Sequence, residues 1–186
     1  MTASTSDLPP LQKPEPAFPN VDELLQANRA YAESFGHQGL GLQPQRKLAI
    51  VSCMDSRMEI FEILGLQHGE AHIIRNAGGV VTDDVVRSLA LSQRMLGTRE
   101  ILLMHHTKCG LHNLNEDVFK HEIEAETGLR PWWALESFTD PFASVAQCIR
   151  RLHLSPFIFY KDAIRGFVYD VDTGELHPVD TPTRPN

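Results

Sequence analysis

The hydrophobic positions of the chain fall into two patterns. Short unbroken apolar runs read as strands, and longer stretches with apolar residues three and four apart read as helices. Leu48, Ala49, Ile50 and Val51 sit in the run 47–52, polar at both ends, which predicts a buried parallel strand. Residues 71–75 (AHIIR), 100–104 (EILLM) and 156–160 (PFIFY) predict a second, third and fourth strand. Helical spacing covers 59–66, 82–96, 116–127 and 141–152. It is sharpest over 82–96. There Thr82 is placed to cap, Asp83 and Asp84 occupy the first turn, and Val85, Val86, Leu89, Ala90, Met95 and Leu96 form the buried side, with Gly97 following the end. Segments 166–171 and 175–178 flank Asp172-Thr173-Gly174, giving a strand, a turn and a short return or tail. The short connection from 156–160 predicts that this last strand runs antiparallel at one edge.

Strands alternating with helices predict an α/β fold: an open sheet of parallel core strands with helices on both faces and an antiparallel edge strand. Ahead of the sheet, residues 21–35 place Leu24, Leu25, Tyr31, Ala32 and Phe35 on one helical face. That face packs either on its own domain or on a neighbouring subunit. Residues 1–20, rich in Pro, Ser and Thr, read as a flexible arm, leaving 21–186 as one domain.

Composition narrows the function. A net charge of -7 without a basic run argues against nucleic acid as partner. Three cysteines, Cys53, Cys109 and Cys148, do not make a disulfide scaffold. No apolar run is long enough to span a bilayer, and the N-terminus lacks the charged start and apolar centre of a signal peptide. A cytoplasmic protein with reduced thiols, making no membrane contact, is the expectation.

The reactive side chains cluster after two of the strands. LAIVSCMDSR (48–57) ends in Cys53, Asp55 and Arg57, and HHTKCG (105–110) holds His106 and Cys109. In an open α/β sheet, ligands bind beyond the carboxyl ends of the strands where strand order reverses. If strands one and three are neighbours there, the two loops converge. His106 and Cys109, three residues apart, can reach one ion from one turn. Thiolate and imidazole suit zinc, and three protein ligands leave the open fourth place of a catalytic site. A lone cysteine at a strand end is more often a core residue, and a lone H-x-x-C arises by chance. The signal is the combination of C-x-D-x-R after one strand with H-x-x-C after another. Cys148, in VAQCIRRL, reads as core or surface and not as a ligand. On an extended backbone Asp55 shares the side of Cys53, where it can bond a metal or its water. Arg57 can hold Asp55 through a charge-assisted pair, or the two form a plain surface ion pair. The glycines of RNAGG (75–79) suit close approach of backbone to substrate, and equally a tight strand-to-helix turn.

CMDSR, RNAGG, HHTKCG and the closing GFVYDVDTGEL together resemble the β-class carbonic anhydrases, over residues 21–179. The resemblance implies sheet order 2-1-3-4 with an extra antiparallel strand. It implies one zinc ion (Zn2+) per chain held by Cys53, His106 and Cys109, a catalytic dyad of Asp55 and Arg57, and a substrate-site loop of Ala77, Gly78 and Gly79. It also implies a homodimer, often paired into a homotetramer, with N-terminal helices embracing the neighbour. The activity implied is that of a zinc lyase: reversible hydration of carbon dioxide to bicarbonate and a proton, by attack of a zinc-bound hydroxide oriented by the dyad. Two thiolates cancel the charge of the ion, so the water is acidified less than at an all-histidine site and activity is expected to rise into mildly alkaline pH. Asp55, released by Arg57, would take the fourth place on zinc and block the site. Hydrolysis of carbonyl sulfide or carbon disulfide on the same scaffold is one alternative, and a non-catalytic structural or redox-sensing zinc protein is another. Lys108 departs from the acidic or small residue common in this position among relatives. It either faces solvent or draws bicarbonate to the site.

Overall fold

The structure, a computed structural model, describes residues 21–180. The segment read as a flexible arm, 1–20, lies outside the described residues. The chain divides into two units, one ending at Gly39 and one beginning at Leu40. In the first, α1 (Val21–Glu33) carries Asp22 and Glu23 in its first turn, where they complement the helix dipole. All its residues are exposed, its apolar ones included.

The second unit is built on five strands: β1 (Leu48–Cys53), β2 (Ala71–Asn76), β3 (Glu100–His106), β4 (Ile164–Tyr169) and β5 (Leu176–Pro178). Their order is β2-β1-β3-β4-β5. The first four are parallel, and β5 pairs antiparallel with β4. This is the expected fold class and strand order. β1 is buried on both faces because neighbouring strands and helices enclose it, and its side chains alternate between two cores. Ala49 and Val51 join Leu89 of α3 (Asp83–Arg94) and Val145, Ile149 and Leu152 of α5 (Pro141–Leu154). Ile50 and Cys53 join Met58, Met104, Leu111 and, from α2 (Ile60–Leu64), Ile60, Ile63 and Leu64 on the opposite face. Each fully buried aliphatic side chain contributes about 1.5–3 kcal/mol of transfer free energy. The helices thus cover both faces and fix the strand ends between them.

Local chemistry sets the helix starts. Thr82 accepts from Val85 N–H to cap α3. Asn115 does the same through Val118 N–H for α4 (Glu116–Thr127), and Asp140 caps α5 through Phe142 N–H ahead of Pro141. Gly128, left-handed, ends α4.

One strand assignment is corrected. Residues 156–160 form a turn and an irregular segment, not a strand. One side chain takes three of their backbone bonds: Gln93 Oε1 accepts from Phe159 and Tyr160 N–H at 2.9 and 3.1 Å, and Gln93 Nε2 donates to the Tyr160 carbonyl at 2.8 Å, while Phe157 N–H donates to Ser155 Oγ. Only Ile158 of the aromatic-rich run enters the core, while Phe157 and Phe159 are exposed. The true fourth strand is β4, which was read as the antiparallel edge. It follows α5 and pairs parallel with β3, and the antiparallel edge is the short return β5.

Candidate metal centre

β1 and β3 are hydrogen-bonded neighbours, with Ser52 opposite Met104, so the loops that follow them meet. β3 is longer than the apolar run suggests and carries both His105 and His106 on the strand. Cys53, His106 and Cys109 are buried, with one ligand atom from each lying within 4.8 Å of the others. Among the described residues this is the one group of His, Cys, Asp or Glu placed to hold a metal. The two sulfurs are 3.9 Å apart. A tetrahedral ion with metal–sulfur bonds of about 2.3 Å sets its sulfurs roughly 3.8 Å apart. His106 Nδ1 lies 2.8 Å from the Thr107 carbonyl, which only accepts, so Nδ1 carries the hydrogen and Nε2 presents its lone pair. That Nε2 is buried and has no hydrogen-bond partner. A buried lone pair facing two thiols fits zinc.

Cys53 and Cys109 share a proton unequally. Cys53 is lowered to about 4, first by the hydrogen bond from the Cys109 thiol, then by His106 and by the backbone N–H groups of Asp55 and Gly78, against the opposing effect of burial. Cys109 is pushed up by its bond to Cys53 and by burial. Burial lowers the His106 ring, but Cys53, the Thr107 carbonyl and Asp55 outweigh it and the net shift is upward.

Asp55 stands over this group, with Oδ2 3.6 Å from His106 Nε2. Both its oxygens are engaged by Arg57: Oδ1 accepts from Arg57 N–H and Nε at 2.9 Å each, and Oδ2 from Nη2 at 2.7 Å. The pair is bidentate, not a loose surface contact. The guanidinium holds the Asp55 carboxyl well below the usual carboxylate range, against burial.

Arg75, read from sequence as the end of a strand and the start of RNAGG, supports the centre structurally. Its Nε donates to the Cys53 carbonyl at 2.9 Å and its Nη2 to the Asp55 carbonyl at 2.6 Å. The signal available was a charged residue closing an otherwise apolar strand. His105, beside the ligand candidate His106, is packed. Its Nε2 bonds the Gly79 carbonyl at 3.1 Å, its ring stacks on Phe138 at 5.5 Å, and burial lowers it to about 4.

Ala77–Gly79 form a 3-10 turn beside Cys53. Gly79 has φ +70°, and a Cβ there would meet Cys53 N and the Ser52 carbonyl carbon at 2.8 Å. A side chain is therefore excluded twice, by conformation and by space. The close approach is to the end of β1. Lys108 faces solvent, as the first of its two readings expects, and its ammonium is engaged there: it donates to both Asp172 oxygens at 2.9 and 2.6 Å. Cys148 is buried in the core on the opposite sheet face, accepts from Val81 N–H, and has its thiol pushed up by burial.

The carbonic anhydrase family model matches residues 48–139. Beta-carbonic anhydrase 1 of Mycobacterium tuberculosis is 51% identical over 159 residues, covering 86% of this chain and 97% of its own length. Carbon disulfide hydrolase of Saccharolobus solfataricus is 46% identical over 162 residues, covering 73% of this chain and 78% of its own. The crystal structure of carbonic anhydrase from Streptococcus mutans matches with a TM-score of 0.83 at 41% identity, covering 88% of this chain and 99% of that one. With two cysteines and a histidine converging at the ends of β1 and β3, and a relative matched along nearly its whole length, the chain belongs to the β-carbonic anhydrase family.

Proposed function

We propose that this chain catalyses the reversible hydration of carbon dioxide to bicarbonate and a proton, with one zinc ion held by Cys53, His106 and Cys109. The observation that carries the proposal is Asp55, fixed by Arg57 and only 3.6 Å from the free His106 Nε2. When bound, zinc supplies a water acidic enough to react near neutral pH. The residues of the chain do the rest. Cys53 and Cys109 bring negative charge to the ion and temper that acidity. Asp55, kept ionised by Arg57, accepts a hydrogen bond and so orients the attacking oxygen's lone pair toward carbon dioxide. Gly78 donates its N–H to Cys53, and the Ala77–Gly79 turn forms one wall beside the substrate.

Asp55 also has a second position within reach. Freed from Arg57, its carboxylate would serve as a further ligand to a bound zinc and would keep water from it. Rising pH favours the open arrangement, since hydroxide competes with a carboxylate better than water does.

The preference for carbon dioxide over carbon disulfide is supported by the relatives. The mycobacterial carbonic anhydrase matches over 86% of this chain, against 73% for the archaeal hydrolase. Carbon disulfide hydrolysis is nonetheless a specific second reading, because that hydrolase shares 46% identity. A homodimer, paired or not into a tetramer, and a cytoplasmic location belong to the same proposal. Among the described residues no helix is long and apolar enough to cross a membrane.

The direct test is Asp55→Asn in zinc-loaded protein. Loss of hydration with zinc retained is expected. An unchanged rate contradicts the role given to Asp55.

A further inference from the structure

Lys108 stands between two of the proposed ligands, and its main chain and side chain do different work. Its backbone is left-handed, with φ +54°, a region costly for a residue with a Cβ. In that conformation its carbonyl accepts from Arg57 Nη2 at 3.0 Å. Its ammonium donates to Asp172 in the turn between β4 and β5. That turn is fastened to the ligand loop. Thr107 N–H donates to the Tyr169 carbonyl at 2.9 Å, and Thr107 Oγ1 accepts from Val171 N–H at 3.1 Å. Asp172 N–H in turn bonds Asp170 Oδ1 at 2.8 Å. The backbone that carries Asp172 is therefore held close to the loop by contacts independent of Lys108.

Two carboxylates thus bear on one guanidinium. Asp55 touches Arg57 directly, and Asp172 is near enough for its charge to act on the same group. The Arg57 side chain is 47% exposed, free on one side to change partner. The Lys108–Asp172 pair is more exposed still, at 63% and 61%, so it adds little to stability. We infer that Lys108 is a positioning residue: by occupying Asp172 it leaves Arg57 wholly to Asp55. Without the ammonium, Asp172 competes for Arg57, and Asp55 is released toward the metal centre. The rate consequence rests on the hydration proposal above; the exchange of partners does not.

The test uses zinc-loaded Lys108→Gln, Asp172→Asn, the double variant and Lys108→Arg. Lys108→Gln should lower kcat about fivefold, the size set by an exposed charge interaction, with zinc content unchanged. Lys108→Arg should keep the parent rate. Asp172→Asn should be close to the parent, and the double variant should recover what Lys108→Gln loses. That reversal is the signature of competition; a brace that merely supports the loop would be weakened further by the second change. A parent rate in Lys108→Gln, or a double variant as slow as Lys108→Gln, overturns the inference. A crystal structure of Lys108→Gln reads the partner of Arg57 without any activity: Arg57 on Asp172 is expected, and Arg57 still bidentate on Asp55 overturns the idea. Absence of hydration in the parent protein would count against the proposed function alone, since this structural readout still decides the inference.

Discussion

Arg57 grips Asp55 at both carboxylate oxygens, with its own backbone N–H adding a third bond, while its Nη2 also reaches the Lys108 carbonyl. This ties the loop after β1 to the loop after β3 at the point where the proposed ligands meet. Arg57→Ala should lower hydration on the order of a hundredfold, the usual weight of a group that orients proton transfer, while zinc stays at one per chain. Zinc analysis alongside stopped-flow kinetics checks both. Loss of metal in this variant would make Arg57 a structural residue.

The cysteines should separate cleanly. Cys53→Ser and Cys109→Ser remove a ligand and should lose most bound zinc, whereas Cys148→Ser should keep it. Cys148 lies in the core on the other face of the sheet from Cys53 and Cys109. Its replacement should cost stability alone, about 1 kcal/mol. Metal content by elemental analysis and a urea titration are the two measurements. Zinc loss in Cys148→Ser contradicts this separation.

Gly79→Ala should destabilise the fold by about 2–3 kcal/mol, since φ is positive and the new methyl group meets the end of β1. A urea midpoint equal to the parent would mean that the turn moves aside without cost.

Zinc uptake should release protons. The paired thiols favour a Cys53 thiolate beside a protonated Cys109, and His106 is shifted upward, so protons must leave when zinc takes all three. A group raised above its ordinary value binds its proton more firmly in the metal-free protein, so affinity for zinc falls as pH falls. At least about one proton should be released, and log affinity should rise by roughly one or more per pH unit between pH 6 and 8. Calorimetry in buffers of different ionisation enthalpy reads this directly. Buffer-independent heats contradict it.

Much of this was legible in the sequence because it depends on neighbours close along the chain. The apolar runs at Leu48 and Glu100, the Thr82 cap and the spacing of His106 and Cys109 need no distant partner. Residues 156–160 misled because Gln93, 66 residues upstream, supplies the hydrogen bonds that a strand would have used. Arg75 and Asp172 were missed for the same reason. Their roles exist only once the sheet sets β2 beside β1 and the β4–β5 turn beside Lys108.

The central claim is tested most directly by stopped-flow hydration of carbon dioxide with the zinc-loaded chain, run beside an assay for hydrogen sulfide release from carbon disulfide. Zinc-dependent hydration, faster at mildly alkaline than at acidic pH, with no sulfide above the uncatalysed level, is the predicted result. A chain with one zinc bound that fails to hydrate carbon dioxide, or that releases sulfide in preference, contradicts it.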